Sequence, residues 1–455
     1  MIKIKIKSFI AIIAGKTILK LSSTLFKGGS NFPGKIALAI DKKILATVTE
    51  NYKVILITGT NGKTTTTSMI YNMLKKADKK VITNNTGANM DTGIVAAFIS
   101  NYKFKNGKEE KYAVIEVDEA YLQAITEVVS PEVIAVTNLF RDQLDRYGEV
   151  NTTYNKIMEG IIKSPSSTLV LNGDESLLGK LDVPNDTFYY GFNVPIKSNV
   201  ELSVNADSKF CKFCKAPYSY EFITYNHLGK FFCPECGYKR PELKYKVEEI
   251  LSITPENSMV KINDTDFLIN QSGEYNIYNG LCAVAVAKEL GISQSFIKDS
   301  LANQESSFGR QEVLNINGGD AKIILVKNPA GYNQAIETIM LNLNKNTTVN
   351  LAFMLNDNYA DGTDVSWIWD VDLEKLSELQ IGSTAIGGIR LYDMAIRLKT
   401  ANLDASKFTL CDNDEAFIEA LEKNNNGTTY ILVTYTAMLN LRKLLHSKGY
   451  IKKIW

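Results

Sequence analysis

Short apolar runs rich in β-branched residues alternate with amphipathic stretches along most of this chain. Over residues 53–205 the strands fall at Lys53–Ile57, Lys80–Thr83, Tyr112–Val117, Val133–Thr137 and Thr168–Leu171, with a helix at Thr64–Ala77. Strands apolar on both faces and separated by helices predict a parallel α/β sheet. Such a sheet places ligands at the C-terminal ends of its strands, here Gly59–Thr64, Glu116–Glu119, Thr137–Asp145 and Asn172–Glu175. The pattern breaks over residues 206–244 and resumes with strands in Val260–Ile269 and a helix at Tyr278–Leu290. A second unit follows. It has strands at Ala321–Val326, Val349–Leu355, Ser383–Ile386 and Thr429–Val433, and helices at Asn333–Leu341, Leu373–Leu376 and Asp393–Leu398. Ahead of both units, Phe9, Ile12, Ile13, Leu19 and Phe26 recur at roughly helical spacing among lysines. This predicts a basic amphipathic helix packed on its own domain, with contact to a membrane-embedded substrate as the alternative. The expected division is 1–50 helical, 51–312 central with an insertion at 206–244, and 313–455 smaller and Rossmann-like.

The most informative stretch is Val54–Thr66. A buried strand ends in Gly59-Thr60-Asn61-Gly62-Lys63-Thr64-Thr65. Glycines let backbone N–H groups approach phosphate oxygens, and the following helix aims its unsatisfied N–H groups at the same anion. Lys63 would neutralise the β/γ-phosphates of a nucleoside triphosphate, and the Thr64 hydroxyl would hold Mg²⁺. The position five residues before Gly62 is Ile57, so this is a G-x-x-G-K-T loop, shorter than the common phosphate loop.

At 455 residues the chain exceeds one core, and 45% apolar with 22% charged residues is ordinary for a globular protein. A net charge of +1 gives no electrostatic argument for nucleic acid. No run of 18 or more apolar residues appears, so no transmembrane helix and a cytoplasmic location are expected, at the inner face of the membrane on the alternative reading of the N-terminal helix. Of six cysteines, Cys211-x₂-Cys214 and Cys233-x₂-Cys236 stand eighteen residues apart, the spacing of a zinc ribbon. Four thiolates leave no open position, so the Zn²⁺ would be structural. Its flanks hold scattered lysines and no basic run, which favours a stabilising insertion over a nucleic-acid module.

The Gly-Thr-Asn-Gly-Lys-Thr-Thr loop resembles that of Mur ligases and folylpolyglutamate synthases, which join an activated carboxylate to an amine. Other segments follow the Mur pattern in order. Glu116 stands where those enzymes bind Mg²⁺, although this chain reads Glu116-Val-Asp118-Glu119 where the family has serines. Thr137-Asn138 through Asp142, Asp145 and Gly148 is similar to the family run, with Gln143 in place of its histidine. Lys156 is at the wrong spacing for the carbamylated lysine of many relatives. Asn276-Ile-Tyr-Asn279 matches a motif whose second asparagine contacts adenine. Gly309-Arg310-Gln-Glu312 matches one whose arginine reaches the nucleotide. With the ribbon and Asn85–Met90, the segments Lys327–Gly331 and Leu355–Asp370 resemble the MurT family, the ligase-like subunits of lipid II isoglutaminyl synthase.

That resemblance implies an α/β fold with a Mur ligase-like central domain carrying the zinc ribbon and a C-terminal Rossmann-like domain. It implies ATP-dependent amidation of the D-isoglutamate α-carboxylate on lipid II, through an acyl phosphate, with Lys63 and Glu116 catalytic and ammonia from a GatD-type glutaminase. An aspartate of the C-terminal acidic loop would complete the partner's active site, placed at Asp364 with Asp361 second. The residues themselves also point to an outside ammonia source. Glutamine hydrolysis needs a nucleophile and a base. Only His227 and His446 are present, and neither Cys282 nor Cys411 has a motif beside it. Two other functions compete: an amino-acid-adding ligase of the same superfamily, and a zinc-ribbon nucleic-acid-binding ATPase.

Overall fold

The structure, a computed structural model, describes residues 5–25, 31–84, 88–104, 110–141, 150–196, 207–304, 310–341, 348–423 and 427–451. Three helices open the chain: α1 (Ile6–Leu25), α2 (Phe32–Ile40) and α3 (Ile44–Val48). The first α/β unit then runs β1 (Tyr52–Thr58), α4 (Lys63–Lys76), β2 (Lys80–Thr83), α5 (Asp91–Asn101), β3 (Lys111–Glu116), α6 (Leu122–Thr126), β4 (Val133–Val136), α7 (Val150–Ile162), β5 (Thr168–Asn172) and β6 (Thr187–Phe192). A hairpin of β7 (Ser219–Tyr225) and β8 (Leu228–Phe232) interrupts it before β9 (Tyr245–Ile253), β10 (Ser258–Ile262), β11 (Thr265–Ile269), α8 (Glu274–Glu289) and α9 (Gln294–Ala302).

The strands form a nine-stranded sheet ordered β11-β10-β9-β6-β5-β4-β1-β3-β2. From β2 to β9 it is parallel, and β10 and β11 extend it antiparallel. Alternation along β1 makes two cores from one strand. Ile55 and Ile57 pack with α4 and α8, while Val54 and Leu56 face α5 and the N-terminal helices. A strand buried on both faces is why the sequence reads there as one apolar run.

The second unit comprises β12 (Arg310–Ile316), β13 (Gly319–Leu325), α10 (Pro329–Met340), β14 (Val349–Met354), β15 (Ile381–Gly387), α11 (Leu391–Thr400), β16 (Phe408–Leu410), α12 (Asp414–Glu422), β17 (Thr428–Val433) and α13 (Tyr435–Ser447). Its sheet order is β12-β13-β17-β14-β15-β16. β12 pairs antiparallel with β13 through a turn in which Asn317 and Gly318 take φ of 49° and 89°, the left-handed pair favoured by tight hairpins. The boundary expected at 313 therefore falls inside β12. The helix expected at Asn333–Leu341 starts earlier, at Pro329. Proline suits the first helical position, and the Asn328 side chain caps the turn by accepting from Gly331 N at 2.8 Å.

Candidate functional site

The glycine-rich loop joins β1 to α4 at the C-terminal edge of the first sheet. Gly59 and Gly62 take φ of 115° and 84°. A Cβ on Gly62 would lie 2.0 Å from Asn279 Oδ1, and one on Gly59 would lie 2.4 Å from Thr137 Oγ1. Both turn residues must be glycine for shape and for space. The loop is fastened from behind by the segment after β4. Thr60 N donates to Asn138 O, Asn61 N donates to Asn138 Oδ1 at 2.9 Å, and Thr137 Oγ1 donates to Asn61 O at 2.7 Å. Thr60 Oγ1 both donates to Phe140 O and accepts from Phe140 N, each at 3.1 Å.

Lys63 opens α4 and is buried. Its Nζ donates to Gly59 O at 2.5 Å and Thr60 O at 3.2 Å, and lies 3.0 Å from Glu119 Oε1. Burial raises the Glu119 carboxyl above its usual range, with Lys63 opposing and Asp118 adding to the rise. Glu116 ends β3 directly beside Ile57 of β1. Its Oε1 accepts from Asn89 Nδ2 at 3.1 Å, and its backbone is bracketed by Asn84, which donates to Glu116 O and accepts from Glu116 N. Lys63, Glu116 and Glu119 thus meet at adjacent strand ends around one loop. Thr64 is half-buried in the first turn of α4, and Thr65 is fully buried. Thr65 Oγ1 and Asn61 Nδ2 are buried with no hydrogen-bond partner. Spare buried donors at a helix N-terminus are the chemistry of an anion cradle.

Beside the loop is a cleft whose walls include Asn61, Asn138, Phe140, Tyr225, Asn279 and Gln334. Asn279 sits on α8, where its Oδ1 accepts from Thr66 Oγ1 at 3.5 Å and its Nδ2 donates to Asn276 Oδ1. The C-terminal unit reaches the same place: Asn328 Nδ2 donates to Asn61 Oδ1 at 3.2 Å, and Tyr225 OH donates to Ala330 O. Arg310 begins β12, but its side chain, like Gly309, Asp142, Gln143, Asp145 and Gly148, lies outside the described residues.

The four cysteines converge. The sulfur atoms of Cys211, Cys214, Cys233 and Cys236 all lie within 4.8 Å of one another, a cluster that could hold a metal ion. Each Cys-x₂-Cys closes with a left-handed residue, Lys215 at φ 66° and Gly237 at φ 72°. There Lys215 N bonds back to Cys211 O, and Gly237 N to Cys233 O. Burial opposes ionisation of Cys211, but the backbone N–H groups of Cys214 and Phe213 and the neighbouring thiols bring it down to about 6. A thiol held low and ringed by three others suits a soft cation.

The insertion is tied in at both ends. Arg141 Nε meets Asp207 Oδ1 at 2.6 Å, and Arg240 meets the buried Asp174 at 2.9 Å. At the hairpin tip, His227 Nε2 and Glu175 Oε2 are 2.8 Å apart, and His227 packs on the Phe140 ring at 4.9 Å. Sequence reasoning placed His227 in the ribbon and Glu175 at a strand end, without joining them. It also missed Glu119 as the partner of Lys63. In the C-terminal unit Asp361 is buried, and accepts from Thr436 N at 2.7 Å and from Thr436 Oγ1, capping α13. Asp364 is exposed and accepts a local bond from Ser366 N at 2.8 Å, which with the Ser366 hydroxyl holds its carboxyl below the usual range.

Comparison with known proteins identifies the family. Residues 57–234 match the Mur ligase middle domain, and residues 325–438 match the MurT ligase C-terminal family. The chain is 40% identical over 449 residues to the lipid II isoglutaminyl synthase (glutamine-hydrolyzing) subunit MurT of Streptococcus pneumoniae, covering 98% of this chain and 99% of that one. It is 34% identical to the Staphylococcus aureus (strain COL) subunit of the same name, over 97% and 98%. In fold it resembles the type C pseudomurein peptide ligase of Methanothermus fervidus, with TM-score 0.66, 20% identity and 93% and 85% of the two chains covered. It also resembles the Thermotoga maritima MurF ligase solved with ADP, with TM-score 0.60, 16% identity and 91% and 85% covered. The chain belongs to the MurT family of the Mur ligase superfamily.

Proposed function

We propose that this chain is the ATP-using subunit of a lipid II amidating enzyme, converting the D-isoglutamate α-carboxylate of the stem peptide to D-isoglutamine. The observation that carries the reading is the match, over almost its whole length, to subunits whose name states that activity. The loop chemistry supports it. ATP phosphates would lie against Gly59–Thr65, where the free Thr65 and Asn61 donors fit an anion. Asn279, in the cleft beside the loop, and Arg310 would contact the rest of the nucleotide. Thr64 and Glu116 are the residues that would hold Mg²⁺, which would supply charge neutralisation at the phosphates.

The substrate carboxylate oxygen attacks the γ-phosphorus, and ADP leaves. Lys63, pre-placed among loop carbonyls, balances the charge that develops on the transferred group. Ammonia then attacks the acyl carbon, and phosphate departs. Glutamine hydrolysis belongs to a GatD-type glutaminase bound to the C-terminal unit, with Asp364 as the carboxylate contributed to its active site. Zn²⁺ in the four-cysteine cluster is structural, and the enzyme works in the cytoplasm on a membrane-held substrate. The test is incubation of the purified chain with lipid II, ATP and ammonium, with mass spectrometry of the product. ATP-dependent conversion of one carboxylate to an amide is expected. Amino-acid addition in place of amidation would overturn the reading.

A further inference from the structure

Helix α1 is built inside out for a water-facing helix. The side that packs on the protein is small: Ser8, Ala11 and Gly15 are buried with Ile12, and a Cβ on Gly15 would already lie 3.0 Å from Ile99 of α5. The large apolar residues point outward. Ile6 is 79% exposed, Ile10 50%, Phe9 and Ile13 43% each, and Leu21 52%. Positions 6, 9, 10, 13, 17, 20 and 21 follow the i, i+3, i+4 rule and lie along one stripe. Phe9 extends the stripe sideways by packing, with its ring tilted, against the exposed Phe104, ring centroids 5.4 Å apart.

Charge says what covers this stripe. Lys5 and Lys16 border it on one side and Lys7 on the other, at about 100° of helical rotation per residue, and Lys20 stands within it toward the C-terminal end of the helix. No Asp or Glu precedes Asp41, while seven lysines do. No described helix is long and apolar enough to cross a membrane. An apolar face rimmed by lysine, without one acid, matches the chemistry of an anionic lipid headgroup layer over acyl chains. A protein partner or a second copy would call for acids or hydrogen-bonding groups among the lysines.

We infer that α1 is an interfacial helix that seats the protein on an anionic phospholipid surface through Ile6, Phe9, Ile10 and Ile13. The binding itself stands on the helix alone. Its use, bringing the nucleotide site to a lipid-linked carboxylate, rests on the proposed function.

The experiment is co-sedimentation of the full-length chain, with any glutaminase that co-purifies, with lipid vesicles free of lipid II. Vesicles of phosphatidylcholine with phosphatidylglycerol are compared with phosphatidylcholine alone. Binding is expected to the anionic vesicles and to weaken with salt. Phe9→Ser/Ile13→Ser should reduce it at least tenfold, and Lys16→Glu/Lys20→Glu by about fivefold or more per lysine. Phe296→Ser, at an exposed phenylalanine of α9, is the control and should bind as wild type. Thermal melts establish that each variant is folded. No binding to anionic vesicles, or binding untouched by Phe9→Ser/Ile13→Ser in folded protein, overturns the inference. So does self-association in sedimentation velocity that the same variant abolishes, because the stripe is then a contact between copies. Vesicle binding without amidation of lipid II would leave this inference standing and remove the proposed function.

Discussion

His227 Nε2 stands 2.8 Å from Glu175 Oε2, and neither side chain has any exposed surface. Glu175 also accepts from Leu139 N at 3.2 Å and Leu177 N at 3.3 Å, so one carboxylate joins the tip of the cysteine hairpin to the segment behind the phosphate loop. The hairpin is thereby part of the wall of the cleft beside the glycine-rich loop, to which it also contributes Tyr225 and Leu228.

Breaking the pair should cost more than its net worth, because the remaining partner is left buried and uncompensated. His227→Ala is expected to lose about 3–5 kcal/mol, read by denaturant or thermal unfolding. The loss should depend on pH in a definite direction. Burial disfavours the imidazolium, but the charge and hydrogen bond of Glu175, with Asp207 adding, outweigh it, and the His227 pKa is raised. A raised pKa means the contribution is complete below about 6.5 and fades as pH rises through the folded-state value. The gap in Tm between wild type and His227→Gln should therefore be constant below about pH 6.5 and narrow above it. A gap that widens with pH would contradict the ion pair.

Lys63→Ala should lower ATP-dependent turnover by roughly 10²-fold or more, the scale of losing one charge aimed at a transition state. The fold should survive, since the loop is also held by Thr137, Asn138 and Phe140. Glu119→Gln separates resting pairing from catalysis. It removes the ion pair of Lys63 but leaves its bonds to Gly59 O and Thr60 O. ATP affinity should change in that variant while the chain remains folded. Wild-type turnover in Lys63→Ala, measured as ADP release, would remove Lys63 from the mechanism.

The phosphate loop and the cysteine cluster were readable from sequence because each is local. The geometry is enforced by neighbours in the chain, by Gly59 and Gly62 in one case and by two Cys-x₂-Cys turns in the other. The strands around the loop were readable from their apolar runs for the same reason, but their order in the sheet, which joins distant segments, was not. What was not legible pairs distant residues. Lys63 and Glu119 are 56 positions apart, Glu175 and His227 are 52, and Asn61 and Asn328 are 267. No spacing rule connects such pairs, and an acid at 119 reads equally well as a solvated turn. The outward apolar face of α1 was likewise hidden, because periodicity marks a stripe without saying which side of the helix the protein takes.

One Zn²⁺ per chain is expected in native protein, measured by elemental analysis. Serine at Cys211, Cys214, Cys233 or Cys236 should lower both the metal content and Tm, because the binding free energy of the ion contributes to folding the insertion. The hairpin tip lines the cleft, so the same variants should also weaken ATP binding, although none of the four cysteines lines it. Full stability and full ATP affinity in metal-free protein would make the cluster a bystander.

The acidic loop after β14 offers two aspartates with opposite surroundings. Asp361 is buried and satisfies Thr436 N in the first turn of α13, where an acid complements the helix dipole. Asp364 is exposed, and its carboxylate accepts one backbone bond two residues on. A side chain that must reach a glutaminase histidine has to be presented outward, and only Asp364 of this pair is. Asp361→Ala should therefore cost about 1–2 kcal/mol as a lost cap, seen as a lower Tm whatever nitrogen source is supplied. Asp364→Asn should leave Tm unchanged. With the glutaminase bound, it should abolish glutamine-driven amidation and spare the ammonium-driven reaction, since a carboxylate that orients a histidine matters only for ammonia release. If Asp364→Asn keeps glutamine-driven activity while Asp357→Asn loses it, the role passes to Asp357, now paired with Arg390 at 3.3 Å. If every loop variant that folds keeps it, the carboxylate comes from the partner.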